Sequence, residues 1–117
     1  MIALLALSTE LCSHPSIVHG GVTTAVLDEV MAQTLIARFV SNPTTADTMR
    51  ARFLTVQLNV QFNKPVHAPR VLVVKAWCVR SSGRKYWMAG EAVQLEKGEE
   101  ITKAEASGLW LTIQPKL

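Results

Sequence analysis

Two periodicities divide the chain. From Gly20 to about Phe39 it runs through Val22, Ala25, Val26, Leu27, Val30, Met31, Leu35 and Ile36, with no proline or glycine after Gly21. That predicts one long helix of roughly five turns. The segment Ser41-Asn42-Pro43-Thr44-Thr45 supplies the residues that stop it. From Arg52 the period changes to two: Val56, Leu58, Val60 and Phe62 alternate with Gln57, Asn59, Gln61 and Asn63. This predicts a strand with one face on a core. Lys64 to Pro69 breaks it, because proline cannot donate to a ladder. Three further strands are expected over Arg70–Arg80, Lys85–Leu95 and Ile101–Thr112. Turns are expected at Ser81-Ser82-Gly83-Arg84 and Glu96-Lys97-Gly98-Glu99. Met1 to Leu7 reads as a short first strand, and Ser8 to Val18 as a loop.

One apolar helix followed by an antiparallel meander is an α+β arrangement. The helix is apolar nearly all round, its only charges being Asp28, Glu29 and Arg38. A single flat sheet covers one flank, so the sheet must curl around the helix, or a second copy must cover the rest. The 117 residues fit one domain, 1–117, with one core.

Asp28 changes this picture. On a helical wheel it shares a side with Ala25, Ala32, Leu35 and Phe39. A carboxylate in an apolar stripe is costly unless something uses it. The helix dipole does not account for it, since that effect fades within the first turn and Asp28 lies about two turns in. Carboxylates in apolar surroundings cluster at functional sites, which makes Asp28 the candidate catalytic acid. Glu29 lies about 100° round the helix, on another surface.

Composition narrows the class. Hydrophobic residues make up 49% and charged residues 18%, which is the balance of a globular domain. The net charge is +3 and the pI near 9.1, but Lys and Arg are scattered, so no nucleic-acid stripe is read. Arg80, Arg84 and Lys85 form the tightest basic group and suit a small phosphorylated ligand. Cys12 and Cys78 read as free thiols of a reducing compartment, placing the protein in the cytoplasm or an organelle matrix. Neither they nor the three histidines have metal-ligand spacing, so no metal or cofactor is assigned. Met1–Leu7 is too short to span a bilayer. Cys12 with His14 is weak evidence for a nucleophile and base, and Trp77, Trp87 and Trp110 read as core or interface.

The pieces suit acyl transfer to water. Amide groups at a glycine-opened helix start can stabilise a developing oxyanion, and a carboxylate can attack or activate water. Asp28 lies about 13 Å along the helix from its start, so one helix cannot place both groups on one carbon. The spacing favours a site shared by antiparallel helices of two chains.

His19-Gly20-Gly21, followed nine residues after the histidine by Asp28, resembles the hotdog-fold acyl-coenzyme A thioesterases of the phenylacetate-type and mammalian thioesterase-superfamily branch. Asn63-Lys64-Pro65 after an alternating strand is similar to that family too. The resemblance covers roughly Ser13 to Ile113. It implies a hotdog fold, an antiparallel sheet wrapped around one long central helix, in homodimers or dimers of dimers. It implies an acyl-coenzyme A or acyl-carrier substrate. By position, the Gly20 N–H would polarise the thioester carbonyl and Asp28 of the facing subunit would attack it or activate water. His19 would shape the helix start. Gly21, Ser13 and Lys64 would bind substrate, with Lys64 at a place where relatives carry a small polar residue that assists water. Arg80, Arg84 and Lys85, read from their charge rather than from the resemblance, would contact a coenzyme A phosphate. Ser13 and Ser16 stand where relatives often carry Asn and Gly. Two rivals share the fold: a non-catalytic acyl-coenzyme A sensor, and a hydratase or dehydratase.

Overall fold

The structure, a computed structural model, describes residues 1–39 and 52–113. The helix forms where its pattern places it, as α1 (Gly20–Phe39). The expected stop at 41–45 and the side chain of Phe39 lie outside the described residues. Seven strands are described: β1 (Ile2–Ala6), β2 (Cys12–His14), β3 (Ile17–Val18), β4 (Arg52–Phe62), β5 (Val71–Ser82), β6 (Lys85–Glu96) and β7 (Glu99–Ile113). Five make one antiparallel sheet in the order β1-β5-β6-β7-β4. The meander β5-β6-β7 is its centre, and β1 and β4 are its edges.

The sheet lies close against α1 because its inner face is built from small residues. Leu27, Met31 and Leu35 of the helix are fully buried, opposite Ala92, Ala104, Ala106 and Met88. A Cβ at Gly90 would sit 3.4 Å from Met31 Cγ and Sδ and 3.1 Å from the Lys75 carbonyl, so a side chain here would require the neighbouring strand or Met31 to give by a few tenths of an ångström. Each fully buried side chain of this size contributes about 1.5–3 kcal/mol.

Three local features depart from the sequence pattern. Ser8–Val18, expected as a loop, contains a short 3-10 turn (Thr9–Leu11) and the β2–β3 hairpin. The turn of that hairpin puts Ser16 at φ 61°, the left-handed region. The Ser16 carbonyl accepts from Ala68 N–H at 3.1 Å and Val66 accepts from Val18 N–H at 2.8 Å, so the hairpin is clipped to segment 64–69. Gln94, 1% exposed, grips that segment from the sheet side: it accepts from His67 N–H at 2.9 Å and donates to His67 O at 2.8 Å.

The second feature is a bulge in β4 between Thr55 and Gln57. The simple alternation places Val56 with Leu58 and Val60 on the core face. The extra residue shifts the parity: Phe53 and Thr55 face the helix before the bulge, Leu58 and Val60 after it, and Val56 is 58% exposed.

The third is a buried cation. A bulge at Ala92/Val93 opposes two residues of β6 to three of β7 and leaves Lys103 as the extra residue, 1% exposed. Its ammonium donates to Glu96, whose carboxylate also lies 3.9 Å from His67 Nε2. The Lys103 carbonyl accepts from Asn63 and Lys64 N–H at 2.8 and 3.0 Å. A buried lysine is tolerated because it is paired.

Two outcomes are expected. Ser16→Gly stabilises the fold by up to about 1 kcal/mol, since left-handed backbone costs an L-residue roughly 1–2 kcal/mol and the extra freedom of unfolded glycine returns about 0.4–1. Thermal unfolding reads it as a raised Tm. The hydrogen bond from Lys103, foremost, holds the Glu96 carboxyl below its ordinary 4.5, against the opposing pull of burial. The stabilisation it gives is therefore complete above about pH 4.5 and is lost as pH falls through the lower folded-state value. Glu96→Gln lowers Tm at neutral pH, and its deficit relative to wild type narrows as pH drops below 4.5.

Candidate active site

The helix start is shaped by His19. Its imidazole Nδ1 accepts from Gly21 N–H at 2.9 Å, and its carbonyl accepts from Val22 and Thr23 N–H at 3.0 and 3.4 Å. His19 is thus the N-cap. Thr24 donates its hydroxyl to Gly20 O at 2.9 Å, and Thr23 is buried. Gly21 is needed for this cap: a Cβ there would stand 2.9 Å from the His19 Nδ1 that the amide must reach. With Gly21, Val22 and Thr23 amides satisfied, the Gly20 N–H donates to no group among the described residues. It remains available to an incoming oxygen at the positive end of a 20-residue helix.

Two cavities flank this start. One, about 380 Å³, is lined by Gly20, Thr23, Ser13, Phe62, Asn63 and Lys64 among others. The segment carrying Asn63 and Lys64 is held there by the Lys103 carbonyl and by Gln94. The other, about 580 Å³ and apolar, contains His19 and Gly21 and runs along the helix past Val22, Val26 and Val30 to Glu29.

Asp28 is half-buried on the β4 side of the helix, between buried Leu27 and Leu35 and half-buried Ala32, with Ala25 exposed. Its Oδ1 accepts a hydrogen bond from Thr55 Oγ1 at 2.9 Å. Thr55 has that reach because the bulge turns it inward. Within one chain the residue beside Asp28 is Thr55, while Lys64 lines the 380 Å³ cavity at the helix start. A Thr at this position carries no special mark in an unbroken-looking alternation, so pattern reading passes over it.

One chain brings Ser13, Gly20 and Lys64 together, and His19 with Gly21 beside them. It does not bring Asp28 to Gly20, eight residues or about 12 Å further along the axis. Nor does it bring Arg80, Arg84 and Lys85 there. Arg80 stacks over Trp87, 3.9 Å from the ring centre, and Arg84 Nε donates to Thr112 O at 3.0 Å. That hairpin adjoins Leu111 and Thr112, which pair with Leu54 and Phe53 at the start of β4, whereas Gly20 lies beside Phe62 at its end. Strand rise separates the two by roughly 30 Å.

The remaining candidates are placed as follows. Cys12 and Cys78 are free thiols, and Cys12 makes no hydrogen bond to exposed His14 among the described residues. No group of three potential metal ligands occurs among the described residues. Trp110 is fully buried, while Trp77 is 46% exposed on the outer sheet face. No helix among the described residues is long and apolar enough to cross a membrane.

Comparison with known proteins agrees with this architecture. The chain is 30% identical over 105 residues to an uncharacterized protein of Schizosaccharomyces pombe, covering 89% of this chain and 55% of that one. It thus spans about half the length of that curated relative. Among solved structures it is similar to a Bacillus halodurans protein crystallised with CoA (TM-score 0.74, 19% identity, 98% of this chain and 68% of that one). It is also similar to a 4-hydroxybenzoyl CoA thioesterase complexed with 4-hydroxybenzoyl CoA (TM-score 0.81, 13% identity, 96% and 82%). A hexameric thioesterase from Yersinia pestis superposes with a TM-score of 0.78 at 15% identity, over 96% and 85%. The sheet curled on one long helix is the hotdog arrangement of these neighbours, and the profile of the thioesterase superfamily matches residues 16–100, so the chain belongs to the thioesterase superfamily.

Proposed function

We propose that the protein hydrolyses an acyl-coenzyme A or acyl-carrier thioester at a site shared by two copies of the chain. The observation that carries this reading is the pairing, on one helix, of an unengaged Gly20 amide at the start with a half-buried carboxylate, Asp28, held by Thr55 about two turns on. The two are too far apart to act on one carbon within a chain. An antiparallel second helix brings one chain's Asp28 to the other's Gly20.

One exposed edge of the sheet supports this reading. The edge strand β4 exposes Leu54, Val56 and Phe62, at 53%, 58% and 53%. An edge with apolar side chains and unpaired backbone groups is a template for pairing with another chain. Pairing of two β4 edges in antiparallel sense also carries the Arg80, Arg84 and Lys85 hairpin of one chain toward the Lys64 end of the other. There they would serve as cationic contacts for the phosphates of a coenzyme.

In this account the thioester carbonyl oxygen accepts from Gly20 N–H. Asp28 of the facing chain takes a proton from water as the water oxygen adds to the carbonyl carbon, or attacks that carbon itself. The C–S bond then breaks and the sulfur leaves as thiol, taking the proton from Asp28 in the first route and from solvent water in the second. In the second, water then hydrolyses the Asp28–acyl anhydride, and either way the acid is released. Thr55 orients Asp28 by its hydrogen bond. His19 keeps the Gly20 amide pointed outward by fixing the amide after it.

Gly20 sits at the first helical position, where proline is tolerated and where its ring removes only the N–H in question. A Cβ there meets the Phe62 ring at an ordinary 3.5 Å. Gly20→Pro is therefore expected to fold and to lose about 10²–10³ in kcat, as for one lost oxyanion donor. Asp28→Asn is expected to lose about 10²–10⁴ against a panel of acyl-coenzyme A thioesters. Thr55→Val should lose roughly tenfold or more, the value of one hydrogen bond to a charged group, with Thr55→Ser restoring most of it. Steady-state thiol release measures all three. Full turnover by Asp28→Asn would remove Asp28 from the chemistry, and wild type that binds acyl-coenzyme A without releasing thiol would make the chain a sensor.

A further inference from the structure

We infer that the apolar groove on the β1 side of α1 holds the acyl chain of the thioester, and that Glu29 on its wall selects against acyl groups ending in a carboxylate. The inference rests on the hydrolytic reading above and adds the class of substrate to it.

The groove and the 380 Å³ cavity meet at the helix start from opposite sides. The cavity contains Gly20 together with polar Ser13, Asn63 and Lys64. The groove begins at Gly21 and His19 and is otherwise walled by Leu5, Val22, Ala25, Val26 and Val30, with Glu29 toward its far end. A thioester whose carbonyl oxygen rests on the Gly20 amide has two unlike arms, a polar one beyond sulfur and an apolar one beyond carbon. The two hollows have that same division. At about 580 Å³ the groove lies within the range of small-molecule sites, and an apolar wall favours an apolar occupant. The hollows adjoin through neighbouring residues, Gly20 in one and Gly21 in the other, and a Cβ at Gly21 would displace the His19 ring that lies against it.

Among the described residues lining the groove, Glu29 is the one carboxylate, and none is Lys or Arg. It lies eight residues from Gly21, about 12 Å along the helix, so it meets the far part of a medium-length chain and not the reacting carbon. Gln33 Nε2 donates to its Oε1 at 3.0 Å and fixes the carboxylate in place. A terminal carboxylate brought beside it is repelled by a like charge, whereas a methyl or hydroxyl terminus is accepted.

The test compares kcat/KM for acetyl-, octanoyl- and octanedioyl-coenzyme A. Val26→Trp fills the groove, and the octanoyl-to-acetyl ratio is expected to fall at least tenfold. Ala25→Phe, at an exposed position, serves the same purpose if the tryptophan variant does not fold. Glu29→Gln is expected to raise the octanedioyl-to-octanoyl ratio about tenfold. Unchanged ratios in all these variants, with hydrolysis otherwise intact, overturn the groove assignment while leaving the hydrolase reading standing. If no thioester is turned over by wild type, calorimetry with the S-octyl thioether of coenzyme A still decides. Weaker binding by Val26→Trp supports the groove, and binding equal to wild type refutes it.

Discussion

The hydrogen bond from Thr55 to Asp28 is the constraint on which the rest turns. An aspartate on a core helix pays for lost hydration, and a single hydroxyl donor returns part of that cost while fixing where the carboxylate points. The bond exists only because β4 carries an extra residue between Thr55 and Gln57. Without the bulge, Val56 would face the helix and the acid would stand against a methyl group. The irregularity in the strand and the acid on the helix are therefore one feature of the fold.

The other end of the helix face is governed by a similar economy. Backbone amides at a helix start are costly to leave unsatisfied and useful when left free. Here the imidazole of His19 takes one amide, its carbonyl takes two more, and Gly20 is left over. The platform beneath is stiffened from the sheet. Gln94 holds both polar groups of His67, and the buried Lys103, paired with Glu96, offers its carbonyl to Asn63 and Lys64. Those bonds place the walls of the cavity at the helix start rather than contributing chemistry to it.

Much of this was legible in the chain, for identifiable reasons. The helix could be read because the run after Gly21 lacks breakers, and the meander because its turns carry Gly83 and Gly98 at positive φ. Asp28 stood out against an apolar background. What stayed hidden is what depends on strand parity or on long-range partners. Thr55 and Lys103 both owe their inward position to bulges, which two-residue periodicity cannot register. His19 as N-cap is an unusual choice of residue, so the pattern alone does not mark its imidazole as the group that takes the Gly21 amide. Ser16, noted as standing where relatives carry glycine, proves to hold the left-handed backbone that glycine would adopt freely. The cations Arg80, Arg84 and Lys85 looked like neighbours of the site, yet within one chain they lie a strand's length from Gly20.

The most direct measurement is therefore a mixing of two inactive chains. Co-refolding Gly20→Pro with Asp28→Asn produces mixed dimers in which one site combines the intact Gly20 of one chain with the intact Asp28 of the other. Thiol release from acyl-coenzyme A well above that of either variant alone is the predicted result. A mixture no more active than its components, in verified mixed dimers, would contradict a site divided between two helices.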